Sequence, residues 1–590
     1  MSRSSRSLSR RMAVAIVAVI AVFGLFTVRL VDIQVVRAET LKEDAAAKRV
    51  VEVKTHGIRG DIVDRNGVVL ADSVERYNIT ASPRNVSLDG FERRTEAGET
   101  IKVDMMDELA KLGELTGQKA ADIRDILAAD PESDYAIIKK DVNLETLLKV
   151  RDLKIPGLYD EMVPSRTYPN GAVAGNLVGF IGTDGPQAGF ELTEGACLAA
   201  EDGDSTVAIS EDWVQLPGSR QVVNEAKNGG TLRLTIDQNL QWYAQQALAE
   251  QGSALGADWA TATVVRVADG HIMAAADWPS VDPNDRNSVD ASSLGARIFS
   301  TPYEPGSTIK AATIASYLDA GTTTVGEKII APGQYTNGLP SGSFIKDAWA
   351  HDDLRYTTAG VLKDSSNTGI AVLTEGVDAQ QRHDYLRAFG FDQPTGIEFN
   401  GESSGRLIPV DQLDSISNIT QQFGQGMTAT SAQVAGLYQT LGNGGVRMPL
   451  TLVEGCEWED GTVTDVPENT GERVVSESAA DATVGIMENV VSQGFLKPIL
   501  DIPNYRVAAK TGTAEVADSS GYGSDRIVSV AGLVPAEDPQ YAIVVTFVKP
   551  DTMKTSAAAA PTFNAIMKQV IKTFRITPST TPAPDIPLTW

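Results

Sequence analysis

Cysteine and histidine are scarce in this chain, which has two cysteines and four histidines in 590 residues. None of the histidines stands at a metal-ligand spacing, and Cys197 and Cys456 lie too far apart to form a zinc-binding pair. The residues therefore predict no metal site and no cofactor. The two cysteines are able to form a disulfide with each other, but their positions leave open whether they do.

Basic residues are also in deficit, because 51 lysines and arginines face 77 aspartates and glutamates, a formal net charge of -26. Such a surface repels polyanions, which argues against nucleic acid as a partner. Aromatic residues make up only 6% of the chain, but a hydrophobic content of 42% is enough for a globular protein with a buried core. At this length we expect two or three domains.

One long apolar segment stands near the start of the chain. The run over residues 12–31, broken only by Arg29, is close to the roughly 20 residues that a bilayer-spanning helix needs. Arginines precede it at positions 3, 6, 10 and 11. This arrangement predicts a cytoplasmic tail over 1–11, a transmembrane helix over 12–31 and an extracytoplasmic remainder. A cleaved signal peptide is the alternative, although the run is longer than is usual for one.

A serine and a lysine three residues apart stand where a loop is expected to become a helix. Pro305 and Gly306 indicate a loop, and the alanine-rich residues that follow are typical of a helix. Ser307 is then at the helix N-terminus, with Lys310 on the same face one turn later. A serine hydroxyl becomes a nucleophile when a base removes its proton, and a deprotonated lysine can be that base. The free N–H groups of the helix would stabilise the resulting oxyanion.

Two further motifs complete the pattern that this chemistry needs. Ser365 and Asn367 form S-x-N, and Lys510 begins K-T-G inside a strand-like run. The order S-x-x-K, S-x-N, K-T-G is the motif set of penicillin-binding proteins and serine β-lactamases. On these residues the chain resembles a class B penicillin-binding protein. The middle residue of the second motif is Ser366 rather than the aspartate of many β-lactamases, which favours a penicillin-binding protein.

The resemblance extends over nearly the whole chain after the apolar segment. Residues 59–71 are similar to the signature at the start of the class B pedestal, and their Asn-Gly pair independently predicts a hairpin over 64–67. We expect a pedestal domain over 32–230 and a transpeptidase domain over 231–577. The proline-rich residues 578–590 are predicted to be disordered. No glycosyltransferase signature occurs, which argues against the bifunctional class A type.

The pattern of helices and strands predicts an α+β fold. In the pedestal, a mixed α/β domain, amphipathic helices are expected over 103–115 and 143–153. The transpeptidase region has five predicted strands, 261–267, 271–276, 506–516, 527–534 and 541–548. With a helical middle and a closing helix, they predict an antiparallel sheet covered by helices. The specific transpeptidase fold is what the resemblance implies.

The resemblance implies a role for each member of the first two motifs. Ser307 is the nucleophile, and Lys310 is its general base. Ser365 relays protons among Lys310, Lys510 and the leaving amine, and Asn367 holds Lys310 and the substrate backbone. Lys510 keeps the site positive, which is expected to lower the pKa of Lys310 through like-charge repulsion.

The third motif is expected to bind the substrate. Thr511 can hydrogen-bond a terminal carboxylate, and Gly512 would let the substrate backbone approach the strand closely. By similarity to the family, the backbone N–H groups of Ser307 and Thr513 form the oxyanion hole.

The activity that the resemblance implies is that of a membrane-anchored D,D-transpeptidase. It would cross-link peptidoglycan stem pentapeptides through a Ser307 acyl-enzyme and bind β-lactam inhibitors covalently. Segments 384–391, 401–405 and 423–426 are similar to the cell-division (septal) subgroup, and the elongation subgroup is the alternative. A membrane-embedded glycan polymerase and other division proteins are the implied partners.

Other functions would use similar residues. A Ser-His-Asp hydrolase is disfavoured because no G-x-S-x-G elbow exists. A β-lactamase or a D,D-carboxypeptidase would use the same Ser-Lys site with water as the acceptor. A class A β-lactamase needs a further glutamate base, and the candidates Glu375, Glu398 and Glu402 stand in no recognisable water-activating motif. A non-catalytic β-lactam sensor would need further membrane spans and an output domain, which the sequence does not display.

Overall fold

A computed structural model describes residues 4–41, 50–94, 98–182, 184–209, 216–518 and 521–590 of the chain. Arg3, one of the four arginines ahead of the apolar run, lies outside these residues. The described residues form two compact units, Met1–Ile58 with Ala200–Asn228 and Arg59–Ala199 with Gly229–Trp590. Most of the expected pedestal therefore belongs to the same unit as the transpeptidase region.

Helices and strands are mixed along the chain, so the predicted α+β class is confirmed. The helices of seven residues or more are α1 (Ser4–Val31), α2 (Met105–Thr116), α3 (Ala120–Ala129), α4 (Leu144–Asp152), α5 (Gln238–Leu255), α6 (Lys310–Asp319), α7 (Thr358–Asp364), α8 (Asn367–Thr374), α9 (Ala379–Ala388), α10 (Ser431–Gly442), α11 (Glu477–Ser492) and α12 (Ala560–Phe574). The two helices predicted in the pedestal correspond to α2 and α4.

The strands likewise follow the predicted pattern in the transpeptidase region. In chain order they are β1 (Val50–Thr55), β2 (Ile62–Val63), β3 (Val69–Ala81), β4 (Phe91–Arg94), β5 (Thr100–Val103), β6 (Ala136–Val142), β7 (Leu158–Thr167), β8 (Ile181–Gly182), β9 (Gly185–Pro186), β10 (Gly203–Ala208), β11 (Gln221–Asn224), β12 (Thr231–Leu234), β13 (Trp259–Arg266), β14 (Ile272–Trp278), β15 (Lys328–Ala331), β16 (Leu354–Thr357), β17 (Val446–Arg447), β18 (Val453–Glu457), β19 (Val463–Thr464), β20 (Glu472–Arg473), β21 (Ala508–Asp518), β22 (Gly521–Val534) and β23 (Tyr541–Val548).

The first unit contains helix α1 and a small sheet. Arg10–Val36 is a helical segment of 27 residues that is apolar enough to cross a membrane, has an unburied apolar window and includes the predicted span 12–31. At about 1.5 Å per residue it is about 40 Å long, enough to cross a bilayer core of about 30 Å. Strands β1, β10 and β11 form an antiparallel sheet. Helix α1 is therefore suited to anchoring the protein in a membrane.

A sheet of the second unit joins strands from both sides of residue 230. Its order is β19-β18-β12-β2-β3-β6, and β7 also pairs with β3. The predicted hairpin is confirmed, because β2 and β3 are antiparallel and the Asp64 carboxylate accepts the N–H groups of Asn66 and Val68 at 2.7 and 2.8 Å. Strand β12 lies parallel to β2, so sheet pairing continues across the expected domain boundary.

Two buried connections stabilise the same unit. Glu191 is fully buried, and its carboxylate accepts hydrogen bonds from the Nε atoms of Arg59 at 2.7 Å and Arg166 at 2.6 Å. Pairing of this kind is what a buried carboxylate requires. Cys197 and Cys456 form a disulfide across 259 positions of sequence. The structure thus pairs the two cysteines, a point that the sequence left open.

A five-stranded antiparallel sheet, of order β14-β13-β23-β22-β21, forms the centre of the transpeptidase region. Alternate residues of a strand face opposite sides of a sheet. Ile543 and Val545 pack in one cluster with Phe563 of α12, whereas Val544 belongs to another cluster, with Ile314 of α6. The sheet therefore has helices on both faces, as predicted, and β21 is an edge strand.

The carboxy-terminal residues of the second unit lie against other segments of that unit. Thr357 donates its N–H to the carbonyl of Leu588 at 3.0 Å and its hydroxyl to the carbonyl of Pro587 at 2.6 Å. Two cationic groups lie 5.1 and 5.2 Å from the ring centroid of Trp590. The prediction of a disordered tail over 578–590 is therefore wrong. Its prolines lack N–H donors, but their carbonyls still accept hydrogen bonds from a neighbouring segment.

Candidate active site

Ser307 lies in a single 3₁₀ turn, Gly306–Ile309, that leads into α6 at Lys310. Gly306 has a φ of 58° and donates its N–H to the carbonyl of Gly424 at 3.0 Å, which holds the turn in place. A left-handed φ of this kind is adopted readily by glycine. The serine side chain is half-buried. The predicted position of Ser307 at the start of a helix is thus confirmed.

Lys310 is fully buried beside this turn. Its Nζ donates to Oδ1 of Asn367 at 2.7 Å, and to the carbonyl oxygen and the Oγ of Ser365 at 2.5 and 3.3 Å. Burial lowers the pKa of Lys310 from 10.5 to about 7, and the carboxylate of Asp347 partly opposes that change. A substantial fraction of Lys310 is therefore neutral near neutral pH, as a general base must be.

The S-x-N motif lies between two helices. Helix α7 ends at Asp364, Ser365 follows it with a left-handed φ of 63°, and α8 begins at Asn367. Ser366 caps α8, because its hydroxyl accepts the N–H of Gly369 at 2.9 Å. The turn places the Oγ of Ser365 at 3.3 Å from the Nζ of Lys310 and 2.9 Å from the Nζ of Lys510. Ser365 therefore has the position that a proton relay needs.

Lys510 lies on the edge strand β21 and is fully buried. Its Nζ also donates to the carbonyl of Thr511 at 3.0 Å. Burial, and then the charge of Lys310, hold the pKa of Lys510 well below its ordinary value. The two lysines repel each other, as expected, but the largest cause of the lowered pKa of Lys310 is burial, which the carboxylate of Asp347 opposes.

Gly512 is required by packing between the K-T-G strand and the serine turn. An ideal Cβ at this position would lie 2.3 Å from the Oγ of Ser529, 3.0 Å from the Cγ2 of Thr308 and 3.2 Å from the carbonyl oxygen of Pro305. A side chain would therefore clash with Ser529 of β22 and crowd the turn that carries Ser307. The sequence predicted that this glycine serves the approach of substrate, and its surroundings show that it also allows the close approach of the turn.

Residues of all three motifs line one cavity of about 680 Å³. The predicted site residues in its wall are Ser307, Ser365, Asn367, Thr511 and Thr513. Aromatic rings of Trp349, Phe423 and Phe495 form part of the remaining wall. Since β21 is an edge strand, its backbone can pair with an extended peptide in this cavity. The structure thus brings the predicted site residues together, with Lys310 and Lys510 buried behind the surface.

The sequence did not mark Asp347, a charged residue at the site. Its carboxylate accepts the backbone N–H of Asn367 at 2.5 Å across 20 positions of sequence. No local motif marks the contact, because it depends on how the loop folds back onto α8. In the sequence, Asp347 resembles the nearby Asp352 and Asp353, which are exposed.

The arrangement defines a class of protein. A half-buried serine at a helix start, a buried lysine of lowered pKa and a second lysine on an edge strand form a serine acyl-transfer site of the Ser-Lys type. Residues 260–568 match the penicillin binding protein transpeptidase domain, and residues 54–202 match the penicillin-binding protein dimerisation domain. The chain belongs to the class B penicillin-binding proteins.

Known relatives cover nearly the whole chain. It is 32% identical over 595 residues to the penicillin-binding protein PbpB of Mycolicibacterium smegmatis, with 97% of this chain and 91% of that protein covered. It is 30% identical over 560 residues to the peptidoglycan D,D-transpeptidase FtsI of Escherichia coli, with 93% and 89% covered. The solved structure of penicillin binding protein 3 from Mycobacterium tuberculosis complexed with aztreonam matches with a TM-score of 0.69 and 26% identity, covering 91% of this chain and 100% of that one. The resemblance stated from the sequence is therefore confirmed.

Proposed function

We propose that this chain is a membrane-anchored peptidoglycan D,D-transpeptidase of the division septum in which Ser307 forms the acyl-enzyme. The observation that carries the proposal is the hydrogen-bonded path from Lys310 through the Oγ of Ser365 to Lys510, in which Ser365 lines the same cavity as Ser307. The activity is also that of the relatives named peptidoglycan D,D-transpeptidase, which match over nearly the whole chain.

The first half-reaction is acylation of the serine. The Oγ of Ser307 attacks the carbonyl carbon of the penultimate D-Ala of a stem pentapeptide, and its proton passes to neutral Lys310. The backbone N–H groups of Ser307 and Thr513 hold the oxyanion of the tetrahedral intermediate. The C–N bond then breaks, and the leaving D-Ala amine takes a proton from Lys310 by way of Ser365. The products are the acyl-enzyme and free D-Ala.

The second half-reaction transfers the acyl group to an amine. A neutral amine of a neighbouring stem peptide attacks the ester carbonyl, and its excess proton passes through Ser365 to Lys310. The C–O bond of the ester breaks as the Oγ of Ser307 regains a proton. A new amide is the cross-link. A D,D-carboxypeptidase would differ only in that water takes the place of the amine.

Substrate binding is assigned to the edge strand and to the second motif. Thr511 lines the cavity, and its hydroxyl would bind the terminal carboxylate of the donor, with the buried Lys510 behind it. The backbone near Thr513 can pair with the peptide groups of the donor. The side chain of Asn367 donates to the carbonyl of Lys346 at 3.1 Å. An amide nitrogen has two N–H donors, so one is left for the substrate.

The proposed topology follows from charge and from the disulfide. Arg10 and Arg11 precede the apolar segment, which favours a cytoplasmic N-terminus and a single pass through the membrane. The disulfide between Cys197 and Cys456 favours an oxidising, extracytoplasmic compartment for the catalytic unit. An exterior-active reporter fused after Gly57 should be active, and the same reporter fused at Ser9 should be inactive. The opposite pattern would refute this topology.

The pedestal is proposed to bind division partners. It has no catalytic motif of its own in the sequence, yet it is far longer than a tether requires. We assign residues 32–230 to docking against a membrane-embedded glycan polymerase and other division proteins. Replacement of this region by an inert spacer of equal reach should abolish septal cross-linking in cells. Unchanged cross-linking would disprove docking.

Covalent labelling by a fluorescent penicillin tests the nucleophile. Ser307→Ala should abolish labelling while the thermal unfolding of the protein stays unchanged. Ser478→Ala, an exposed serine in the first turn of α11, is the matched control and should label normally. Mass spectrometry should place the adduct on Ser307, and an adduct on any other residue would overturn the assignment.

A further inference from the structure

Asp347 binds the start of α8 from a separate loop. Its side chain is fully buried, and Oδ1 accepts the backbone N–H groups of Asn367 at 2.5 Å and Thr368 at 3.0 Å. The hydroxyl of Ser366 accepts the next N–H, that of Gly369. The first three N–H groups of α8 are therefore bound by side-chain oxygens. A carboxylate at this end of a helix is also favoured by the helix dipole.

The same loop fixes the side chain of Asn367. The amide nitrogen donates to the carbonyl of Lys346, the residue before Asp347, and the amide oxygen accepts from the Nζ of Lys310. Two adjacent loop residues thus hold the backbone and the side chain of Asn367. The loop therefore sets the position of Oδ1 of Asn367, which accepts the hydrogen bond from Lys310.

His351 supports the loop from the other side of Asp347. Its Nε2 lies 3.0 Å from Oδ2 of Asp347, and its Nδ1 lies 2.6 Å from the carbonyl oxygen of Asp352. Its ring lies 5.7 Å, centroid to centroid, from that of Trp349, which lines the Ser307 cavity. A second cavity, of about 890 Å³, borders the loop as well. With cavities against it on two sides, the loop depends on these hydrogen bonds more than on packing.

We propose that Asp347 is a positioning residue of the Ser-Lys site, which sets the place of Asn367 and, through it, of Lys310, with His351 holding Asp347. The inference rests on the proposed function, in which Lys310 is the base that activates Ser307. A misplacement of about 1 Å in such a site can cost roughly a hundredfold in rate. Asp347 does not touch the reacting atoms, so it acts through Asn367.

The charge of Asp347 has an effect that a purely structural residue would lack. Two titratable groups face Lys310, the carboxylate of Asp347 on the loop and the amine of Lys510 on β21. The carboxylate of Asp364, at the end of α7, raises the pKa of Lys510 against the effect of burial. The other groups around the Nζ of Lys310 are uncharged. Because the carboxylate raises the pKa of Lys310 against the effect of burial, its removal should lower that pKa further. The acid limb of the acylation pH profile should then move to lower pH.

Asp347→Ala and Asp347→Asn in the full chain test the proposal. Alanine removes the acceptor of the N–H groups of Asn367 and Thr368, so the rate constant for acylation by a fluorescent penicillin should fall about ten- to a hundredfold at neutral pH. In Asp347→Asn the amide oxygen can still accept from the N–H of Asn367, so the rate should fall less while the acid limb shifts downward. Asp353→Asn, an exposed aspartate of the same loop, should leave both unchanged.

The outcomes separate this inference from the assigned function. A wild-type acylation rate in Asp347→Ala would overturn the positioning role, even with a lowered melting temperature, and an unshifted acid limb in Asp347→Asn would overturn the effect of this charge on Lys310. If Asp347→Ala does not fold, His351→Ala tests the same arrangement and should slow acylation without abolishing folding. Unchanged acylation in His351→Ala would then overturn the inference. Absence of labelling at Ser307 in the wild-type protein would instead refute the proposed function.

Discussion

The Nζ of Lys510 donates a hydrogen bond to the Oγ of Ser365 at 2.9 Å, although the two residues are 145 positions apart in the chain. The contact joins the edge strand β21 to the turn between α7 and α8. The same oxygen lies 3.3 Å from the Nζ of Lys310. Because one hydroxyl contacts both lysines, substitutions at these positions are not expected to act independently.

A double-mutant cycle tests this coupling. Ser365→Ala and Lys510→Ala should each slow acylation by a fluorescent penicillin about a hundredfold or more, the usual range for loss of a proton-transfer group. The double variant should be little slower than the slower single variant, since each change breaks the same path. Lys497→Ala, an exposed lysine, serves as the control. Losses that multiply in the double variant would contradict a shared path.

The pH dependence of acylation follows from the pKa of Lys310. Burial lowers this pKa to about 7, and only the neutral amine accepts the serine proton. The acylation rate should therefore rise with pH and level off above an apparent pKa near that value. Stopped-flow labelling between about pH 5 and 9, with a penicillin that does not titrate in this range, measures the profile. A rate that falls with rising pH through this range would exclude Lys310 as the base.

Gly512 is expected to tolerate no side chain. Gly512→Ala places a methyl group against Ser529 and Thr308, so β21 has to move away from the serine turn. Acylation should fall at least about tenfold, since the N–H of Thr513, which we propose for the oxyanion hole, moves with the strand. Gly326→Ala is the matched control, because an added Cβ there meets open space. Equal rates in the two variants would disprove the packing explanation.

The parts of the site that could be predicted from the sequence are those whose signals are local. Ser307 and Lys310 are one turn apart, and the hairpin at 64–67 depends on its own four residues. The S-x-N motif formed by Ser365 and Asn367 is also a local signal. Their contact with Lys310, however, was indicated only by the family resemblance. Short-range spacing and turn chemistry are sufficient in these cases.

The remaining features depend on contacts between distant segments. The role of Asp347 depends on the helix it caps, and that of Gly512 depends on the turn packed against it. The role of Cys197 depends on a partner 259 positions away. The proline-rich tail was predicted to be disordered from composition, but Leu588 gains its partner from β16. Composition and periodicity contain no information about such partners, so only the folded chain identifies them.

The disulfide between Cys197 and Cys456 should contribute to stability. Replacing both cysteines with serine removes a cross-link that closes a long loop, and we expect a loss of about 2–5 kcal/mol in the free energy of unfolding. Denaturant unfolding of the two proteins measures the difference. In unfolded wild-type protein without reductant, thiol titration should find no free cysteine. Two free thiols in protein purified under oxidising conditions would contradict the pairing.

The candidate glutamate bases of a β-lactamase are occupied elsewhere in the structure. Oε1 of Glu375 accepts from the hydroxyl of Tyr335 at 2.7 Å, and Oε1 of Glu402 accepts from the N–H of Thr395 at 2.8 Å. Glu398 is exposed. Within the described chain, the residues that line the Ser307 cavity include no glutamate. Water at the acyl-enzyme therefore lacks the glutamate base that a class A β-lactamase uses.

The lifetime of the penicilloyl-enzyme separates a transpeptidase from a β-lactamase. When Ser307 opens a β-lactam ring, the leaving nitrogen stays tethered to the acyl group and blocks the approach of an acceptor. Without a water-activating glutamate the ester should persist for many minutes to hours, with little release of hydrolysed drug. Intact-mass measurements over time, with chromatography of the supernatant, follow both quantities, and a purified class A β-lactamase is the positive control for hydrolysis. Rapid release of many equivalents of hydrolysed penicillin per protein would overturn the transpeptidase assignment, because the same Ser-Lys pair would then be using water as its acceptor.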